Sequence, residues 1–519
     1  MGSFLFMHRT CVVEGNQMHT SFHLGIGHYG IGFKDGVNTV ISRNVRALLD
    51  IDPTMKITLF GKLAPEHRNF INSQKGIIDY RNIDEFDPES SLGRIVKKSI
   101  YEQQVHDYIW QGTNIAEVLV QRLSDMDVII AENLGIGIDP PVTYAYYLYT
   151  QYCYTAREHR TFIYRFHDFV QQRPVNFSNV KKFFQFRFGE TPNWHSILYP
   201  AYPNIKYIAI NRYDQRRLIE HGIEERNIFY IPNSVDRSII PPDDRREELR
   251  RKIIERERLD PTVQFILYPV RCVRRKNVEE AIFLTRFFNC LAEGRSSSNN
   301  IKIKGKFHLL ISLKPEKGDD AVYAGILERF VKEHGLPVTI GLNDLVSLER
   351  EYDPEEPHRI VRYSVGDIYR AADLVITTST LEGFGFVYIE PWLLDRAVIG
   401  RSIPFVTPDF QAAGMKLGHL YTALIVDRMD FKDIGQEKGN PDEVLLERLK
   451  RVHKLEDPIF LDRFIESNET SMLATLRLFE MEHRRSIIEK NRDVVEEVYS
   501  QENIGRKLYK VITSPSDRS

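Results

Sequence analysis

The chain has 519 residues, too many for one ordinary hydrophobic core, so two or more domains are expected. Its formal net charge of −2 lacks the basic excess of a nucleic-acid binder, and no apolar run is long enough to span a bilayer. Cys11, Cys153, Cys272 and Cys290 lie far apart with no CxxC pair, which argues against a zinc site or disulfide framework and for reduced thiols in a cytoplasmic protein. The apolar stretch within residues 1–8 is too short for a signal peptide.

A strand is predicted at residues 22–24, running into a segment that carries Gly25, Gly27, Gly30, Gly32 and Gly36. A helix follows, with Val37, Val40, Ile41, Val45 and Leu48 on one face. Strand, glycine loop and helix form a layout that lets the backbone approach a phosphate or substrate. Further strands are predicted at 56–60, 127–131, 160–166, 207–210 and 228–233, with helices over 90–123 and 143–151. Such alternation implies a parallel sheet covered on both faces. Ligands bind at the carboxyl ends of such strands, where Glu132, Asn133, His167 and Asp168 fall.

Residues 237–262 are rich in Pro, Arg, Glu and Asp, and the domain boundary is placed there. The pattern restarts with a strand at 264–268. Arg271, Arg274, Arg275 and Lys276 lie between that strand and a helix beginning near Asn277. At such a position cations can neutralise a diphosphate, arginine as a fork and lysine as a point charge. Strands at 307–311, 338–340, 374–376, 397–399 and 422–426 follow, with helices at 321–334 and 367–372 and a charged loop over 347–359. From residue 443 onward the chain reads as helical. Ile487, Ile488, Val494, Val495 and Val498 mark an amphipathic helix near the C-terminus.

The most chemically committed stretch is Glu382-Gly-Phe-Gly-Phe-Val-Tyr-Ile-Glu390. Gly383 and Gly385 predict a tight turn after a buried strand, with a helix from Phe386 to Asp395. The turn's free N–H groups suit an anion. Glu382 at its mouth and Glu390 beyond it can accept hydrogen bonds from sugar or ribose hydroxyls. Two Asp-x-Asp strings, at 50–52 and 125–127, sit at a helix end and before a strand, so no metal site is expected from them.

Gly30 to Gly36, Arg165-Phe-His-Asp168, Ile231-Pro-Asn-Ser-Val-Asp236, Arg271 with Lys276, Asp373, and Glu382-Gly-Phe-Gly with Glu390 occur in an order that resembles the retaining GT-B glycosyltransferases of family 4. The likeness runs over roughly residues 20–512 and is strongest over 264–392. It implies an α/β fold of two Rossmann-like parallel-sheet domains facing a cleft, with a C-terminal helix crossing back to the first. The expected divisions are an acceptor-side domain over 1–240, a nucleotide-sugar domain over 260–480, and a crossover helix and tail over 481–519.

That resemblance gives Glu382 and His167 catalytic places at the transferred sugar. It gives the donor Arg271, Lys276, Gly383, Phe384, Gly385, Phe386 and Glu390, the last for the ribose. Gly32, Lys34, Asp35 and Gly36 would close on the phosphates or acceptor, and Asn133 and Asp168 would lie on the acceptor side. The implied activity is metal-independent transfer of a hexosyl group from a nucleoside-diphosphate sugar to a hydroxyl acceptor, small molecule or glycan, with an α linkage. No cofactor beyond that co-substrate, no nucleic-acid partner and no integral membrane segment are expected. The sequence departs from the family at Val270, at Asn277 and after Leu310 and Gly400, which leaves base and sugar open. A sugar-nucleotide epimerase of the same architecture and a non-catalytic sugar-nucleotide binder are the alternatives. Oligomeric state is left open.

Overall fold

The computed structural model describes residues 22–33, 35–71, 76–86, 105–174, 176–181, 194–296 and 303–514. Two parallel sheets organise the chain. The first has seven strands: β1 (His23–Ile31), β2 (Lys56–Leu63), β3 (Ile77–Asn82), β4 (Val128–Glu132), β5 (Thr161–Phe166), β6 (Ile205–Ala209) and β7 (Ile228–Tyr230). Their spatial order is β3-β2-β1-β4-β5-β6-β7. The order reverses at β1, so the switch point lies between β1 and β4, where a doubly wound sheet binds its ligands. The central strands β4, β5 and β6 are buried along their whole length, which is why they read as unbroken apolar runs.

The second sheet contains β8 (Gln264–Arg271), β9 (Phe307–Leu313) and β10 (Val338–Ile340). A short hairpin of β11 (Glu351–Tyr352) and β12 (Ile360–Arg362) precedes β13 (Leu374–Thr377) and β14 (Val398–Gly400). The order is β10-β9-β8-β13-β14, again parallel. One apolar core serves this half, with Leu249 and Ile253 of the preceding helix Arg246–Glu257 inside it.

The glycine-rich stretch is strand for most of its length. β1 continues through Gly25, Gly27 and Gly30 because neighbours crowd it: a Cβ on Gly27 would lie 2.4 Å from both Phe60 and the Tyr146 hydroxyl. The turn begins at Gly32, whose φ of +83° suits glycine. Helix α1 (Gly36–Ile51) is capped by Asp35, whose side chain accepts from Asn38 N–H.

The helix expected over 90–123 is described for Val105–Arg122; residues 87–104 lie outside the described residues. Residues 386–395 form two 3₁₀ stretches, Phe386–Tyr388 and Glu390–Leu394, in place of the expected α-helix. Pro391 has no N–H to give to Val387, and it disfavours helical geometry at Glu390, so i→i+3 turns take over. The strand expected at 422–426 shrinks to Ile425–Val426, paired with Met429–Asp430 in a hairpin apart from both sheets.

The C-terminus returns to the first sheet. Helix Met481–Val498 packs on the second half, and Gln501–Thr513 lies along α1. Ile504 and Leu508 join the core beneath α1 with Val45 and Leu48, and Gly505 allows Ala47 to approach. Lys206 at the start of β6 donates to Val511 O (2.9 Å), tying the last helix down. Among the described residues no helix is long and apolar enough to cross a membrane.

Candidate functional site

A cavity of about 500 Å³ lies between the carboxyl ends of the two sheets. Its walls come from both halves: His28 at the end of β1, Asn133 after β4, His167 and Asp168 after β5, and Asp35 and Gly36 at the start of α1. Opposite them stand Arg275 and Lys276 after β8, and the stretch from Glu382 to Val387 with Glu390 after β13. A second cavity, of about 580 Å³ along β10, has Arg256, His308 and Lys332 on its wall but none of the residues that the resemblance singles out.

Glu382 is held by two cations. Lys276 Nζ donates to Oε1, and Arg275 Nη1 lies 3.6 Å from Oε2. Burial would raise the Glu382 carboxyl, but Lys276 and Arg275 outweigh it and hold it below the usual range. Burial, with Arg275 nearby, lowers Lys276 in turn, against the pull of Glu382. The loop that carries the cations is locked to the end of β13: the Tyr268 hydroxyl donates to Lys276 O (2.6 Å), and Thr378 Oγ1 to Asn277 O (2.9 Å). Asn277 has φ +50°, the left-handed turn that redirects the chain into helix Val278–Ala292.

The glycine turn sits against the first half. A Cβ on Gly383 would lie 2.5 Å from His167 O, and Asn211 Nδ2 donates to Gly383 O (3.2 Å). Gly385 has φ +89°, which aims the following residues into the 3₁₀ turn. Among the described residues the N–H groups of Gly383, Phe384, Gly385 and Phe386 have no hydrogen-bond acceptor. Backbone donors left free beside a cation pair make an anion-binding wall.

Across the cavity, His167 Nε2 is 2.7 Å from Glu132 Oε2, and Arg165 Nη1 is 3.5 Å from Glu132 Oε1. Burial would raise Glu132, but Arg165 and His167 hold it low. With Nε2–H given to Glu132, Nδ1 is the ring nitrogen left over. Asn133 adopts φ +59°, and its Oδ1 accepts from the backbone N–H groups of His167 (3.3 Å) and Asp168 (3.2 Å), so it shapes the loop after β5. Asp168 is paired with Arg173 at 3.0 Å. His28 Nδ1 meets Glu132 O at 3.1 Å, and burial lowers this imidazole.

Glu390 is buried, and its Oε1 accepts from Arg43 Nη2 at 2.9 Å. Burial raises Glu390, partly offset by Arg43.

Most of the expected site residues therefore line one cavity: Glu382, His167, Lys276, residues 383–386, Glu390, Asp35, Gly36, Asn133 and Asp168. Two do not. Arg271 is exposed and off the cavity wall, which Pro269 and Val270 line where the β8 register shifts between Tyr268 and Arg271; Arg275 stands beside Lys276 instead. Gly32 packs near His67, its place in the turn set by Asn38, whose Oδ1 accepts from Gly32 N–H. Lys34 lies outside the described residues. His28 and Arg43 join or brace the wall unanticipated, and Arg275, one of the four cations expected to face a diphosphate, stands on it. The run Arg274-Arg275-Lys276 was a signal for Arg275; His28 and Arg43 carry no local motif. Of the Asp-x-Asp strings, Asp125 is engaged by Arg81 at 2.6 Å, and Asp52 caps the end of α1.

No protein-family model matches the chain. It is 29% identical over 401 residues to the mannosylglucosyl-3-phosphoglycerate synthase of Petrotoga mobilis, a match covering 75% of this chain. The chain spans 66% of that relative's length. It is 23% identical over 399 residues to the mannosylglucosylglycerate synthase of Thermotoga maritima, covering 75% of this chain and 82% of that one. In structure it resembles a glycosyltransferase from Rickettsia africae (TM-score 0.54, 14% identity, 96% of this chain and 100% of that one). It also resembles Anabaena HepE in complex with UDP-glucose (TM-score 0.53, 12% identity, 95% and 99%). Fold and relatives agree: this is a two-domain GT-B protein whose relatives are glycosyltransferases.

Proposed function

We propose that this glycosyltransferase-fold enzyme moves a hexosyl group from a nucleoside-diphosphate sugar to a hydroxyl of a small acceptor, with retention at the anomeric carbon and without a metal ion. The observation that carries the reading is the buried Lys276–Glu382 pair, set beside unpaired turn amides and facing His167 across one cavity. Cleaving a glycosyl phosphate needs charge stabilised on the departing diphosphate. Lys276, Arg275 and the amides of residues 383–386 supply positive potential for that. Glu382 accepts hydroxyls of the donor sugar, and Glu390 those of the ribose. His167, fixed by Glu132, stands on the acceptor side of the transferred sugar with Asp168 near it.

In this reading the sugar's bond to the diphosphate oxygen breaks and both electrons leave with the nucleoside diphosphate. The acceptor oxygen bonds to the anomeric carbon on the same face, and its proton passes to the leaving phosphate oxygen. Net retention and an α linkage follow from an α-linked donor. The relatives' names, mannosylglucosyl-3-phosphoglycerate and mannosylglucosylglycerate synthase, guide the substrate class: a mannosyl donor and a glucosylglycerate-type acceptor, phosphorylated or not.

The test is a donor screen with UDP-, GDP- and ADP-sugars against glucosylglycerate and its 3-phosphate, with and without EDTA, and NMR assignment of the new anomeric centre. An α-linked product insensitive to EDTA is expected. Glu382→Ala should lower turnover by on the order of 100-fold or more. Epimerised donor in the absence of acceptor, an inverted product, or a fully active Glu382→Ala would sink the reading.

A further inference from the structure

Arg43 belongs to α1 of the first half, yet its side chain ends on the donor-side wall contributed by the second. Nη2 donates to Glu390 Oε1 at 2.9 Å, and Nη1 to Ser234 O at 3.0 Å, beyond β7. Its guanidinium lies over the Phe386 ring, 4.9 Å from the centroid. Its own carbonyl accepts from Gln501 Nε2 (3.0 Å) of the C-terminal helix. Arg43 is 8% exposed and Glu390 is 9% exposed. One residue, through its side chain and its carbonyl, thus ties together α1, the chain after β7, the glycine turn and the crossover helix.

A pair so desolvated is poor ground for stability, since the solvation that both ions lose offsets their attraction. Its value lies in what Glu390 can then do. A carboxylate buried without a counter-charge would be driven toward its protonated form and lose acceptor strength. Arg43 on Oε1 opposes that drift in part, and the second oxygen remains to accept a hydroxyl. Hydrogen bonds to a charged acceptor are the strong ones. Tyr369 also lines the cavity; burial raises its hydroxyl, with Glu390 adding to that and Arg43 opposing it.

We propose that Arg43 is a positioning residue for the nucleotide's ribose, holding the Glu390 carboxyl aimed so that ribose recognition exists only when the two halves are together. This rests on the reading that Glu390 takes the ribose hydroxyls. It makes donor affinity depend on domain closure, because one half supplies the carboxylate and the other the group that prepares it.

The test is calorimetric binding of UDP, GDP and ADP, each against its 2′,3′-dideoxy counterpart, to the full chain. Wild type should bind its preferred ribonucleotide at least about tenfold more tightly than the dideoxy form. Glu390→Ala should erase the difference. Arg43→Ala should shrink it to within about twofold, read as the ratio of the two affinities within that variant, and Arg43→Lys should fall between. Loss of general fold quality would weaken both ligands alike, which separates a structural effect from the proposed one. An Arg43→Ala protein that keeps the wild-type preference, beside a Glu390→Ala protein that has lost it, overturns the role of Arg43 and leaves Glu390 standing. A wild type indifferent to the hydroxyls, or a Glu390→Ala protein that still prefers them, overturns the ribose reading and the inference with it. If Arg43→Ala does not fold, Arg43→Lys decides: unchanged preference overturns the proposal, and diminished preference supports it.

Discussion

At the scale of single residues, the cations at and beyond the end of β8 show how a local backbone irregularity decides a role. Arg271 and Lys276 have the spacing that suggests a diphosphate pair, but Pro269 and Val270 line the cavity at the irregular end of β8 and Arg271 is left exposed. Arg275 Nη1 instead lies 3.6 Å from Glu382. The expected outcome is a graded series in donor KM: Arg271→Ala within about twofold of wild type, and Arg275→Ala and Lys276→Ala raised by about tenfold or more, as for lost charge-assisted contacts. Steady-state kinetics at varied donor concentration read it, and an Arg271→Ala protein as impaired as Lys276→Ala would contradict it. Glu132 was legible only as a carboxylate at a strand end. Its part, holding His167 Nε2 at 2.7 Å with Arg165 behind it, depends on three side chains from two neighbouring strands and the loop beyond them.

At the scale of elements, the glycines divide by what they touch. Gly27 makes room for Phe60 and Tyr146 inside the first half, so Gly27→Ala should cost about 1–3 kcal/mol of stability by overpacking, measured by denaturant titration. Gly383 does not have a positive φ, and a Cβ there would meet His167 O at 2.5 Å and Asp168 Oδ1 at 3.3 Å, both across the cleft. Gly383→Ala should therefore leave unfolding nearly unchanged while lowering kcat/KM by on the order of 100-fold, because the glycine turn can no longer seat against the first half. Parallel losses in stability and activity would show that the contact is part of the general fold. The same scale explains one strand not predicted and one helix misread. β3 has the sequence Ile77-Ile-Asp-Tyr-Arg-Asn82, an edge strand partly open to solvent, with none of the apolar continuity that marks β4 or β5. Residues 386–395 have helical apolar spacing, but Pro391 breaks the ladder.

At the scale of the whole molecule, stability is shared between the halves and the returning helix. Ile504 is buried against the core below α1, so Ile504→Ala should cost about 2–5 kcal/mol and lower Tm in a thermal scan. Acid sensitivity has an identifiable component in the second sheet. His308 on β9 is buried with Nε2 at 2.8 Å from Thr339 Oγ1, and burial pushes it down to about 4. The unfolded chain takes up that proton near 6.5, so this contribution is fully present above about 6.5 and is lost as pH falls toward 4. Relative to His308→Gln, the wild type should lose about 1.4 kcal/mol per pH unit across that window. Equal pH slopes for the two proteins in chemical denaturation would rule the assignment out.

Read alone, the amino-acid order determined the alternation of strand and helix, the two-part α/β architecture and the position of the Glu382–Glu390 stretch after a buried strand. Those are local properties: side-chain period, glycine and proline placement, and charge between one strand and the next helix. The tertiary structure decided which cations face the cavity, that His167 is braced by Glu132, and that Glu390 is met by Arg43 from a helix 347 residues away in sequence. Each depends on how two separately built sheets are brought face to face, and no local pattern in a chain encodes which side chains from the far half will arrive opposite its own.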